Sequence, residues 1–219
     1  ENNTYFESDG DEKGHCTVKI CKAKASIVQL RLDFETFVIA GPSSETITVA
    51  TVSNNVIADG TQPTASNLAT VCLDDAFAVS NPGGQSPPVI CGNNNDMHSK
   101  LQTASFLTSM ICVFFSVYVD ASADCNSMTF TLSDTSSIIS GRSWTVRVTQ
   151  YDSGFENLAP AGCTQYFWDK EDSDGVLTSY NYGGGRHLAD QKQVICIRRE
   201  ENKNRICYSV DNNNDIAIS

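Results

Sequence analysis

The chain has 219 residues, 40% hydrophobic and 19% charged, with a formal net charge of -11 at pH 7. That length accommodates one large domain or two smaller ones, each with an adequate core. Such an acidic chain repels phosphate backbones and anionic lipid, which argues against nucleic acid and against a polybasic membrane role, and leaves cations and basic partners open.

In chain order, period-two alternation of apolar and polar residues predicts strands at 17–20, 28–34, 76–79, 128–132 and 144–148. No long segment has the period of an amphipathic helix. Ser, Thr, Asn, Asp and Gly separate the apolar runs, and Asn81-Pro82-Gly83-Gly84 and Gly183-Gly184-Gly185 are turn sequences. An all-β sandwich or barrel follows. The alternation pauses over 157–162 at an Ala-Pro-Ala-Gly connector, which is read as a domain boundary. Trp144 alternates with Thr145 and is expected in the core.

Nine cysteines suit an oxidising compartment and a secreted chain. The odd count leaves at least one thiol without an internal partner. Zinc is disfavoured because the Cys-x-x-Cys and His-x-x-x-His spacings are absent. The chain opens at Glu1 with no Met and no apolar leader, as a mature product or a fragment would. Asn2-Asn3-Thr4 is a glycosylation acceptor on Asn2.

Three stretches carry a resemblance. Cys16-Thr17-Val18-Lys19-Ile20, followed by Gln29-Leu30-Arg31-Leu32-Asp33-Phe34-Glu35-Thr36-Phe37, resembles the opening strands of a CUB domain. Cys72-Leu73-Asp74-Asp75-Ala76-Phe77 with Val89-Ile90-Cys91-Gly92 resembles that family's Cys-x-x-Asp-x-aromatic segment and later Cys-Gly. Thr129-Phe130-Thr131-Leu132-Ser133-Asp134-Thr135-Ser136 leading into Trp144-Thr145-Val146-Arg147-Val148 resembles its closing strands. The order of these stretches is similar to arthropod secreted CUB-domain proteins. It implies a CUB-type, jelly-roll-like antiparallel β-sandwich over 1–152, with a Cys72–Cys91 disulfide. Cys16 would then pair with a cysteine preceding this chain. Cys21 would be free, because Val28 stands where its partner is expected, and Cys125 would lack a partner near Ser153. From Gly162, the cysteines at 163, 196 and 207 resemble a truncated second CUB-like unit over 157–219, with Cys163–Cys196 the preferred pair and Cys207 its competitor.

The almost charge-free run at 99–116 interrupts this pattern. Related arthropod proteins pass from Cys-Gly to a short His-Met-Tyr-Val-Asp strand, whereas here eighteen residues separate His98 from Val117. Ser99-Lys100 can be encoded AGT-AAG, and Phe114-Phe115-Ser116-Val117 can be TTT-TTT-TCA-GTG. Excision between those marks restores His-Met-Tyr-Val-Asp, so 99–116 is read as a retained intron translated in frame. An inserted hairpin packing Phe106, Phe114 and Phe115 is the alternative, as is a membrane segment, although a span needs about 20 apolar residues.

The resemblance also implies a calcium position. Asp75 and Asp134 match two of the family's carboxylates, and oxygen donors of this kind suit a hard cation. The third carboxylate position is Ala40 here, with Glu45 nearby in the loop. Either the two aspartates hold calcium or they cap turns; no other cofactor is expected. The acidic run from Asp169 to Gly175 lacks the calcium-loop frame and is read as a solvated turn.

No Gly-x-Ser-x-Gly elbow, His-Glu-x-x-His motif or glycine-rich phosphate loop is present, and His15, His98 and His187 are expected in unrelated turns. The expectation is a secreted, extracellular, non-catalytic module that binds protein or glycan through loops at one end of the sandwich. A calcium-dependent adhesion module, the non-catalytic arm of a secreted protease and a structural matrix protein are the alternatives.

Overall fold

The computed structural model describes residues 3–8, 10, 12–44, 70–82, 84–95, 115–134, 141–168, 177–189, 191–199 and 201–210. The strands are β1 (Thr4–Glu7), β2 (Gly14–Cys21), β3 (Ile27–Val38), β4 (Ser43–Ser44), β5 (Thr70–Val71), β6 (Asp75–Ser80), β7 (Phe115–Asp120), β8 (Cys125–Leu132), β9 (Ser143–Asp152), β10 (Gln165–Phe167) and β11 (Ile195–Ile197). Tyr182–Gly184 forms a short 3-10 turn, and no α-helix is present among the described residues. The chain is all-β, and each of the five predicted strands lies within an observed one.

Two antiparallel sheets form a sandwich, one in the order β1-β9-β3-β7 and the other β2-β8-β6. Alternation sets which side chains meet between them. Met128, Phe130 and Leu132 of β8 are buried while Ser127, Thr129 and Thr131 face outward; Trp144, Val146 and Val148 of β9 do the same against Thr145, Arg147 and Thr149. Phe130 of one sheet stacks on Trp144 of the other with ring centroids 4.2 Å apart. Phe77 meets Phe130 at 4.7 Å and Phe34 edge-on at 5.5 Å. Trp144 is thus a core residue, as expected.

Strand β3 departs from strict alternation. Its register against β9 shifts between Phe34 and Thr36, so Phe34 and Phe37, three residues apart, both face the core. A bulge absorbs the odd spacing. Beyond β6, the segment 90–94 crosses between sheets: Ile90 exchanges both backbone hydrogen bonds with Phe77, and Asn93 bridges Val38.

Three disulfides staple the described chain. Cys72 bonds Cys91, and Cys163 bonds Cys196, as expected. The third, Cys21–Cys125, corrects the expectation that both were without partners. The family resemblance implies partners near Val28 and Ser153, but Cys21 and Cys125 are the closing register pair of β2 and β8, with Cα atoms 4.0 Å apart. Among the described residues Cys16 and Cys207 are free thiols. His15, expected in a turn, is a residue of β2 that contacts Thr131 across the sheet.

The described residues after 152 pack against this sandwich. Thr164 accepts a backbone hydrogen bond from Tyr118 of β7, placing β10 beside that strand, and β10 pairs in parallel with β11. Tyr180 and Leu188 join the cluster that contains Ile90, Phe77 and Trp144. Ala159 and Cys163 form a smaller cluster with Tyr118, against which Tyr151, Tyr166 and Cys196 pack. Residues 201–210 are exposed throughout. Of the 99–116 run, Phe115 and Ser116 belong to β7; the remainder lies outside the described residues, as do Asn2, Glu45, Cys112 and the acidic run from Asp169.

Candidate functional site

The strand directions place the approach to β2, the exit of β3, the start of β6, the exit of β8 and the approach to β9 at one end of the sandwich. Five segments meet there on one buried ion pair. Asp75, the first residue of β6, and Arg142, just ahead of β9, both have fully buried side chains. Arg142 Nε donates to Asp75 Oδ2 at 2.7 Å and Arg142 Nη2 to Asp75 Oδ1 at 2.5 Å, a two-pronged grip that a planar guanidinium makes and an ammonium cannot. The remaining carboxylate lone pairs accept backbone N–H groups, Ala40 on Oδ2 at 2.8 Å and Ser133 on Oδ1 at 3.0 Å. Arg142 in turn donates to the carbonyl oxygens of Ser133 at 2.6 Å and Glu12 at 3.2 Å.

Every acceptor position of Asp75 is therefore used inside the protein. Isolated, the carboxylate could not be carried into so dry a place, and each hydrogen bond offsets part of the desolvation cost. Ala40, the position lacking the third carboxylate, contributes its backbone N–H instead of an oxygen.

Asp134 follows Ser133, whose N–H bonds Asp75, but is exposed, so the two expected calcium ligands lie at the same end of the sandwich and differ entirely in environment. Among the described residues no group of three or more His, Cys, Asp or Glu side chains could hold a metal ion. The oxygens at Asp75 converge on a guanidinium, and this donor set does not fit an added metal ion while Arg142 is present.

A second charged network lies on the outer face of the larger sheet. Register aligns Tyr5, Arg147, Asp33 and Ser116 in a row across β1, β9, β3 and β7. Asp33 is buried and receives Arg31 Nε at 2.6 Å and Ser116 Oγ at 2.5 Å on one oxygen, and Arg147 Nη2 at 2.9 Å on the other. Arg31 also sits over the Tyr118 ring, 5.9 Å from its centroid. Burial alone would lower the Arg31 pKa, but the electrostatic influence of Tyr118 and Asp33 outweighs it and the net shift is upward. Burial likewise pushes the Tyr118 phenol up, opposed by Arg31. This arrangement fixes charge and carries no activated nucleophile.

Neither Arg142 nor the Asp33 network was identified from sequence. A single arginine before a strand has no motif, and two of the Asp33 partners, Ser116 of β7 and Arg147 of β9, come from strands far from it in the chain. The only signal was an aspartate alternating with apolar residues inside β3.

These features define an antiparallel β-sandwich with three disulfides and a pinned loop end. A family model described as the animal CUB domain matches residues 160–219. CUB domains are non-catalytic, extracellular-type interaction modules. The match falls on the segment that follows the sandwich strands, and covers a minority of the chain. No curated protein and no solved structure matches. Among the described residues no helix is long and apolar enough to cross a membrane.

Proposed function

We propose that the chain is a secreted, non-catalytic module of CUB type that binds an extracellular protein or glycan through the loops around Asp75. The observation that carries this reading is the convergence of five segments on the Asp75–Arg142 pair. A binding loop loses conformational entropy on engaging its partner, and roots already fixed by hydrogen bonds reduce that cost. Recognition residues on loops held by a rigid scaffold are the usual division of labour. Leu73, 53% exposed, and the exposed Asp134 stand at this end and provide apolar and charged contacts. The disulfides and the CUB match agree with an extracellular setting.

The test is to probe immobilised full-length chain, produced through a secretory host, with a glycan array and a displayed library of extracellular proteins. Leu73→Asp and Asp134→Ala should weaken the captured interaction tenfold or more, while Lys24→Ala, in the turn at the opposite end, should leave it unchanged. Equal loss from both ends, or no saturable binding, would overturn the proposal.

A further inference from the structure

We infer that the pocket around Arg142 is a cation site filled by the chain's own side chain, so that this end of the sandwich is held together without metal. Four oxygen acceptors point at the guanidinium: Asp75 Oδ1 at 2.5 Å and Oδ2 at 2.7 Å, Ser133 O at 2.6 Å and Glu12 O at 3.2 Å. One carboxylate and two backbone carbonyls are the donors a hard cation prefers. They surround a positive group that is completely buried. The ion is delivered covalently, so it is present at every calcium concentration and cannot be removed by a chelator. Emptying the pocket with Arg142→Ala leaves an uncompensated carboxylate and two carbonyls facing one cavity, and that cavity takes a free guanidinium ion, whose planar N–H donors match these acceptors, from solution.

The inference rests on the proposed loop-end function only for its consequence, that partner binding needs no metal. Its own test uses no partner, so the two can fail separately. Thermal unfolding of the full chain is followed in calcium chloride and in EDTA, and the wild-type Tm should be the same in both. Arg142→Ala should lower the Tm by about 10 °C or more. Millimolar guanidinium chloride, far below denaturing concentrations, should recover part of that loss, whereas sodium chloride of equal ionic strength should not. Asp75→Ala added to Arg142→Ala should abolish the recovery.

If Arg142→Ala does not fold, Arg142→Lys and Arg142→Met replace it. The lysine keeps a charge in the pocket and should unfold at a higher temperature than the methionine, which keeps only bulk. A wild-type Tm raised by calcium overturns the inference. So does an Arg142→Ala variant as stable as wild type or untouched by guanidinium, or a methionine variant equal to the lysine.

Discussion

The side-chain amide of Gln29 pairs with the backbone of Ala159 as another strand would: Nε2 donates to the Ala159 carbonyl at 3.0 Å, and Oε1 accepts the Ala159 N–H at 2.9 Å. Gln29 faces outward from β3 yet is buried, because the chain after β9 folds back over it. Gln29→Ala removes both bonds and leaves two buried backbone groups unsatisfied, at a cost of about 2–4 kcal/mol. Gln29→Glu keeps the acceptor but sets a carboxylate against the Ala159 carbonyl. Urea unfolding of the two variants should show both destabilised at pH 7, with the glutamate recovering stability as the pH falls and its carboxyl gains a proton to donate. Stability equal to wild type in Gln29→Ala would mean that the covering segment does not depend on this contact.

The three disulfides close loops of very different length, with sequence separations of 104 for Cys21–Cys125, 33 for Cys163–Cys196 and 19 for Cys72–Cys91. Chain-entropy reasoning assigns them about 5, about 4 and about 3 kcal/mol in that order. Paired serine substitutions, each removing one bond, should rank the same way in urea midpoint. A Cys72/Cys91 variant weaker than the Cys21/Cys125 variant would show that local packing around Cys91, which is fully buried, outweighs loop closure.

The contrast between these bonds marks where sequence reading stops. Strands such as β8 and β9 were legible because Met128, Phe130 and Leu132, or Trp144, Val146 and Val148, alternate with polar residues, and period two is a local property. Cys72–Cys91 was legible through a family pattern of short span. Cys21–Cys125 was not, because it depends on β2 lying beside β8, a pairing of segments a hundred residues apart that no local signal encodes. The candidate site divides the same way. Asp75 was singled out by its place after Cys72, yet its partner Arg142 approaches from β9, and only the packed sandwich reveals that the carboxylate is committed internally.

Gly92 and Asn181 form a contact that admits nothing larger than hydrogen. Gly92 has φ +85°, and a Cβ placed there would lie 2.0 Å from Asn181 Oδ1. That oxygen accepts the backbone N–H of Asn93 at 2.9 Å, while the Asn181 N–H donates to Asn94 Oδ1 at 2.8 Å, so the asparagine cannot swing away without breaking the tie. Gly92→Ala should therefore cost about 2–4 kcal/mol, from a conformation L residues resist together with the clash. In Gly92→Ala/Asn181→Ala the clash disappears and the strain remains, so the double variant should be less destabilised than the sum of the singles. Strict additivity in a double-mutant cycle would show the two residues to be energetically independent.

Alkaline unfolding should be governed in part by Tyr180, which is buried in the main cluster. Burial pushes its phenol above the ordinary value of 10.0, and a hydrogen bond with Thr164 only partly opposes that shift. The folded chain thus prefers the neutral phenol, while the unfolded chain ionises near its ordinary value. The stability this contributes is complete below about pH 10 and falls by about 1.4 kcal/mol per pH unit as the pH rises from there toward the folded pKa. Tyr180→Phe removes the ionisable group and keeps the ring. At pH 7 it should change stability by no more than about 1 kcal/mol. After a jump above pH 10, followed by far-ultraviolet circular dichroism within seconds so that thiol exchange does not intervene, it should unfold at higher pH than wild type. Tyr118, whose phenol is also raised by burial but opposed by Arg31, acts with the same sign, so Tyr118→Phe should move the transition the same way. Unchanged alkaline midpoints in both variants would show that neither phenol is held neutral by the fold.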